Sequence, residues 1–106
     1  MKEAKFQADL INEIHEILPG CVVLINDPKR IQGFPDLLVL YQNKWAALEC
    51  KRSLHEPFQP NQEYYLDILS SMSFASMICP ENKEAVLNEL QQTFKLRRPT
   101  RFFKRK

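Results

Sequence analysis

Two short apolar runs, Leu37-Leu38-Val39-Leu40-Tyr41 and Trp45-Ala46-Ala47-Leu48, flank the polar pair Gln42-Asn43 with only Lys44 added, and they leave this chain few options. Each run is too short for an ordinary helix, and a two-residue polar tip joins antiparallel strands. An even-length hairpin fixes every pair: Tyr41 faces Lys44, Leu38 faces Ala47, and Asp36 faces Glu49. Directly opposed residues have Cβ atoms roughly 5 Å apart, where like charges destabilise the pair. Folding alone therefore gives no reason for opposed carboxylates, and a divalent cation would reverse the sign of the interaction. Hard carboxylate oxygens suit Mg2+, with Mn2+ able to substitute. Strand alternation puts Lys51 on the side of Glu49 and turns Cys50 away.

A Glu-x-Lys tripeptide is common, and Glu3-Ala4-Lys5 and Glu81-Asn82-Lys83 fit it as well. Those two stand at the starts of predicted helices, where the dipole favours a glutamate. Only Glu49-Cys50-Lys51 closes an apolar strand that follows Pro35-Asp36 at matching register. The structural alternative has Asp36 serving a turn after Pro35 while Lys51 runs its stem along apolar surface to water.

With 106 residues and 44% apolar content, the chain closes one core and is too short for two. No run approaches the ~20 apolar residues needed to span a bilayer, and the charged start lacks a signal-peptide core, so an intracellular protein without a membrane partner is expected. Cys21, Cys50 and Cys79 are odd in number and set in apolar surroundings, which predicts buried thiols and argues against a zinc site or a disulfide. Charge is unevenly distributed. Residues 95–106 carry 7 of the 15 Lys and Arg and no acid, leaving 8 basic against 13 acidic groups elsewhere, a balance of −5. The expected organisation is a domain over residues 1–94 and a basic tail over 95–106, in which Phe102 and Phe103 could stack on bases.

Periodicity through Phe6, Leu10, Ile14 and Ile17 predicts a first helix from Lys2 to Leu18, ended by Pro19-Gly20. Glu3 falls about 20° from Leu10 on that helix, inside the apolar stripe, where it is either a dipole-stabilising glutamate or a group handed to the carboxylate site. Cys21 to Ile25 reads as a buried strand. The turn-rich segment Asn26-Asp27-Pro28-Lys29-Arg30 follows, and Gly33 and Pro35 shape the entry to the hairpin. Arg52 to Phe58 is a polar loop beside the proposed site, with His55 as a candidate proton donor. A second helix opens at Gln59 to Gln62 and runs to about Leu69 or Ser71, with Gln62 on the face of Leu66 and Leu69. There Gln62 either satisfies the helix N-terminus or bonds within the site. Phe74 to Cys79 is a fourth strand, and Pro80 starts a helix through Leu87, Leu90 and Phe94. The order αβββαβα predicts an α/β fold, a mixed four-stranded sheet flanked by helices with the charge-bearing strands central.

With a helix glutamate before them and a glutamine after them, Pro35-Asp36 and Glu49-Cys50-Lys51 resemble the PD-(D/E)xK nuclease superfamily. Within it, Glu3-Ala4-Lys5-Phe6-Gln7, Gly33-Phe34-Pro35-Asp36-Leu37, Leu48-Glu49-Cys50-Lys51 and Gln62 look most like the VRR-NUC and Holliday-junction-resolvase branch, over residues 3 to about 79. The resemblance implies a restriction-endonuclease-like core. It also implies Mg2+ held by Asp36, Glu49 and the Cys50 backbone carbonyl, with Glu3 as auxiliary ligand, Lys51 activating water and Gln62 as an accessory residue. The expected activity is Mg2+-dependent cleavage of DNA phosphodiesters, selective for branched DNA such as Holliday junctions and carried out by a homodimer. Candidate DNA contacts are Lys29, Arg30, Arg52, His55, Arg97, Arg98, Arg101, Lys104 and Arg105. The alternatives are a nicking or restriction-like nuclease of a repair or replication assembly, and a DNA-binding module without catalysis.

Overall fold

The structure is a computed structural model that describes residues 3–95. Its elements run α1 (Glu3–Ile17), β1 (Val22–Ile25), β2 (Leu37–Tyr41), β3 (Lys44–Cys50), α2 (Gln62–Met72), β4 (Phe74–Ile78) and α3 (Lys83–Lys95). The four strands form one mixed sheet in the order β1-β2-β3-β4. The first two pairings are antiparallel and β3 with β4 is parallel, so α2 is the crossover that a parallel pair requires. As expected, β2 and β3 are central. Among the described residues no helix is long and apolar enough to cross a membrane.

Hairpin register follows the letters: Tyr41 pairs with Lys44, Leu38 with Ala47 and Leu37 with Leu48. Gln42 takes the left-handed conformation at the tip, φ 58°. Leu37, Val39, Ala46, Leu48, Cys50 and Ile78 share one sheet face, onto which Phe6, Leu10 and Ile14 of α1 and Val86, Leu87, Leu90 and Phe94 of α3 are packed. The three cysteines are buried free thiols. Alternation sends Ala47 and Glu49 to the other face, where α2 packs beside β4 and buries Leu69.

One expectation fails in β1. The strand is largely exposed, with Leu24 48% and Ile25 63% accessible. It is an edge strand hydrogen-bonded only to β2, and α2 lies over the opposite edge of the sheet, so an apolar sequence here is not matched by cover. Two helix starts also move inward. Asn61 sits in the left-handed region, φ 73°, which delays α2 to Gln62. The Asn82 carbonyl accepts the Val86 N–H, which places the start of α3 after Asn82, two residues beyond Pro80, while its side chain accepts the Cys79 N–H of the preceding turn.

The approach to β2 is clamped onto the start of α2. Gly33 has φ +88°, and a Cβ built there would meet Asn61 Cβ at 2.6 Å and the Pro60 carbonyl oxygen at 2.7 Å. Phe34 next to it meets Tyr65 edge-to-face, with ring centroids 5.5 Å apart. This contact brings Asp36 and Gln62 to the same end of the sheet. Gly33→Ala is expected to cost about 1–3 kcal/mol from backbone strain, with the clash against Pro60 adding to it. Urea denaturation checks this, and an unchanged midpoint would show that the loop docks loosely.

Candidate active site

Asp36, Glu49, Lys51 and Gln62 converge where the β2/β3 hairpin opens, at the end opposite its turn. Asp36 lies one residue before β2, and its main-chain carbonyl accepts the Asn26 N–H at 2.8 Å. Its Oδ2 accepts the Cys50 N–H at 2.8 Å, so the side chain extends the ladder past its last backbone pair. Glu49 points to the α2 face, and Gln62 Nε2 donates to its Oε2 at 2.8 Å. Gln62 Oε1 in turn accepts from Lys51 Nζ at 2.7 Å and from the Gln59 N–H at 2.6 Å. The second reading of Gln62 describes its contacts: it joins the side chains of Glu49 and Lys51, and the main-chain N–H it accepts belongs to Gln59 in the loop before α2, not to the helix N-terminus. Lys51 Nζ lies 3.9 Å from Glu49 Oε2 and is only 2% exposed, so its stem does not run out to water.

Burial dominates the electrostatics. The Glu49 carboxyl is pushed up to about 8 by burial, then by the negative charge of Asp36, while Lys51 pulls the other way. Burial also raises Asp36, opposed first by the Cys50 N–H bond and then by Lys51. Glu3 is raised by burial, then by Asp36 and Glu56. The Cys50 thiol is driven up by burial and lies in the core, so only its main chain belongs to the site.

The chemistry of the donors fits a hard divalent cation at Asp36 and Glu49. Glu49 Oε1 is buried and has no hydrogen-bond partner among the described residues, an arrangement that is costly for an anionic oxygen unless a proton or a cation meets it. Among the described residues no three His, Cys, Asp or Glu side chains are grouped to hold an ion. Glu3 accordingly stands at the rim of the pair, close enough to feel both charges. Two carboxylates would be supplemented by main-chain oxygen or water.

The remaining candidates divide by location. Arg52 and His55 are exposed on the loop that borders the site. Lys29 and Arg30 lie on an exposed turn after β1, with the Lys29 N–H bonded to Asp27 Oδ1 at 2.9 Å. Arg97, Arg98, Arg101, Lys104 and Arg105 lie outside the described residues. Glu56 was not foreseen. Its Oε2 is 3.9 Å from Lys51 Nζ and its Oε1 accepts the Arg52 N–H at 2.6 Å. The spacing of Arg52 and Glu56 was the available signal, but a four-residue separation in a loop does not by itself bring side chains together. A groove at the hairpin turn, lined by Ile17, Leu18, Tyr41, Gln42, Gln91, Phe94 and Lys95, is remote from these groups and offers no carboxylate.

Searched against family models, curated proteins and solved structures, the chain matches none. The structure is that of an α/β domain whose mixed sheet carries a buried carboxylate pair, a lysine and a glutamine at one end.

Unfolded, Glu49 ionises near its ordinary 4.5, whereas folded it keeps its proton to about 8. As pH rises between those values the unfolded chain loses the proton first, so stability of the metal-free protein falls across this window and levels off above it. In Glu49→Gln the melting temperature, followed in EDTA from about pH 5 to about pH 8, is expected to fall less steeply than in the wild type. An identical slope in both proteins would place the titration elsewhere.

Proposed function

We propose that this chain is a metal-dependent endonuclease that hydrolyses DNA phosphodiester bonds, with a restriction-endonuclease-like core of the PD-(D/E)xK type. The observation that carries the reading is the convergence of Asp36, Glu49, Lys51 and Gln62 on one buried end of the sheet, with an oxygen of Glu49 left without a partner among the described residues. Burial raises both carboxyls and the charge of Asp36 raises Glu49 further, so the ionised pair works against stability unless a cation is bound.

In this reading Asp36 and Glu49 hold Mg2+, with the Cys50 main-chain carbonyl as a further oxygen donor. The bound metal supplies a water of lowered pKa and neutralises charge on the phosphate. The protein groups then have distinct tasks. The Cys50 N–H fixes the Asp36 carboxylate, leaving its orientation independent of solvent. Gln62 fixes Glu49 from one side and Lys51 from the other, so the carboxylate and the ammonium keep a set separation. Lys51 Nζ, in a site screened from water, stabilises charge developing on a phosphate oxygen far better than it would in bulk solvent.

Selectivity for branched DNA belongs to the same proposal, as does a homodimer. Among the described residues there is one such site, so paired cuts on two strands need two copies, whose two-fold symmetry would match a junction. The burial of Lys51 favours a second reading, in which the polar cluster is structural and the chain binds DNA without cutting it. Both are settled by incubating labelled four-way junction, linear duplex and single strand with Mg2+, Mn2+ or EDTA. The wild type is expected to cut the junction in a metal-dependent way, and Asp36→Asn and Glu49→Gln to lose cleavage while retaining or strengthening binding. Equal cutting of all three substrates removes junction selectivity, and binding without cutting favours the second reading. Calorimetric titration with Mn2+ gives an independent readout, with heat of binding expected for wild type and lost in Glu49→Gln.

Removal of residues 95–106, with their 7 cationic side chains, is expected to weaken binding to all sequences and reduce the salt slope by as many as ~7 counterion-releasing contacts. An unchanged slope in a salt titration would make the tail a bystander.

A further inference from the structure

Lys51 is enclosed by the loop that follows it. Its Nζ donates to the Pro57 carbonyl at 3.1 Å, the Phe58 ring centroid is 5.5 Å away, and Glu56 Oε2 is at 3.9 Å. Glu56 Oε1 accepts the Arg52 main-chain N–H at 2.6 Å and faces Arg52 Nε at 3.5 Å. One carboxylate therefore spans an ammonium, a guanidinium and a main-chain N–H. Those are the partners that a phosphate diester uses when a protein binds it, charged donors supplemented by a backbone amide. Arg52, Ser53, His55, Glu56 and Pro57 also line an open groove of about 370 Å³, so the spot is approachable from solvent on the Arg52 side.

We propose that Glu56 is an anion placeholder: its carboxylate occupies the position of a DNA phosphate between Lys51 and Arg52, and DNA binds by displacing it. The inference rests on the nuclease reading above and identifies what keeps that site closed without DNA. At 2% exposure Lys51 has no surface to offer a phosphate, so a loop group must leave before contact is made. Among the described residues Glu56 is the carboxylate that touches both Lys51 Nζ and Arg52 Nε, so its departure frees both cations of the same competitor. It remains ionised, because the Arg52 N–H bond lowers its pKa. Its negative charge also reaches Glu3 and Asp36, so exchange of the carboxylate for a phosphate leaves the charge beside the metal ligands nearly constant. A tethered competitor reduces the affinity of every ligand by the fraction of time it occupies the site. A lone phosphate has only that position to compete for, whereas a DNA backbone brings neighbouring phosphates and displaces the carboxylate more readily.

The test is Glu56→Gln, which removes the charge yet keeps an oxygen to accept the Arg52 N–H. Exposed Glu89 on α3, replaced by Gln, makes the same change in net charge away from the site. Binding of labelled duplex and labelled junction is read by fluorescence anisotropy, with Ca2+ in place of Mg2+ to suppress cleavage. Glu56→Gln is expected to tighten binding about two- to fivefold, the range set by releasing a partly exposed ion pair, and Glu89→Gln to leave it near wild type. If Glu56→Gln binds no more tightly than Glu89→Gln while the wild type binds and cleaves, the placeholder is overturned and the nuclease reading stands. A wild type that neither binds nor cleaves either substrate overturns both. Should a melting curve show Glu56→Gln to be unfolded, Glu56→Asp, whose shorter side chain cannot span both cations, is measured instead with the same expected direction and the same overturning result.

Discussion

The bond from the Cys50 main-chain N–H to the Asp36 carboxylate is the point from which the rest of the site follows. Backbone pairing between β2 and β3 stops at Leu37 and Leu48, and one residue further the ladder is continued by a side chain. That substitution commits Asp36 to the sheet end and points its charge toward Glu49. It also explains why the opposed carboxylates are tolerated, since a buried acceptor satisfied by a main-chain donor avoids a cost of about 1–3 kcal/mol. Glu49 has no such donor for its Oε1 among the described residues, and burial, then the charge of Asp36, raises its pKa.

Charge burial is then managed by a neutral residue. Gln62 presents its carbonyl to Lys51 and its amide to Glu49, bridging an ammonium and a carboxyl group held 3.9 Å apart. An ammonium in so dry a place costs on the order of several kcal/mol to desolvate unless hydrogen bonds surround it. Gln62, Pro57 and the acids at 49 and 56 supply that surround. Gly33 underlies the geometry, because any larger residue would push the start of α2 away from the hairpin.

Much of this was legible in the letters. Hairpin register came from the two-residue tip, and register together with alternation put Asp36, Glu49 and Lys51 on one side. The strength of the inference lay in the period of two, which leaves no intermediate side-chain direction. Burial of β1 was misread because four apolar residues announce a strand without saying whether a helix will cover it. Glu56 was missed for a related reason. A loop closes on Lys51 only through tertiary contacts, among them Phe58 and Pro57, that no local pattern encodes. Helix starts shifted where Asn61 and Asn82 took up special backbone or capping roles in place of the first helical turn.

The parallel pairing of β3 with β4 sets an order on assembly. β1, β2 and β3 are joined by successive antiparallel ladders, and the β2/β3 turn is two residues long, so their loops close at modest entropic cost. β4 reaches its place only after the chain has crossed over through α2, the longest detour between neighbouring strands in the sheet. Local closure therefore favours apposition of Asp36 with Glu49 ahead of the crossover that brings Gln62 to Glu49 and Lys51. The amide that joins Glu49 and Lys51 thus depends on the same crossover helix that brings β4 to the sheet. The polar cluster is therefore a product of the whole sheet, whereas the pair of acids needs only the hairpin.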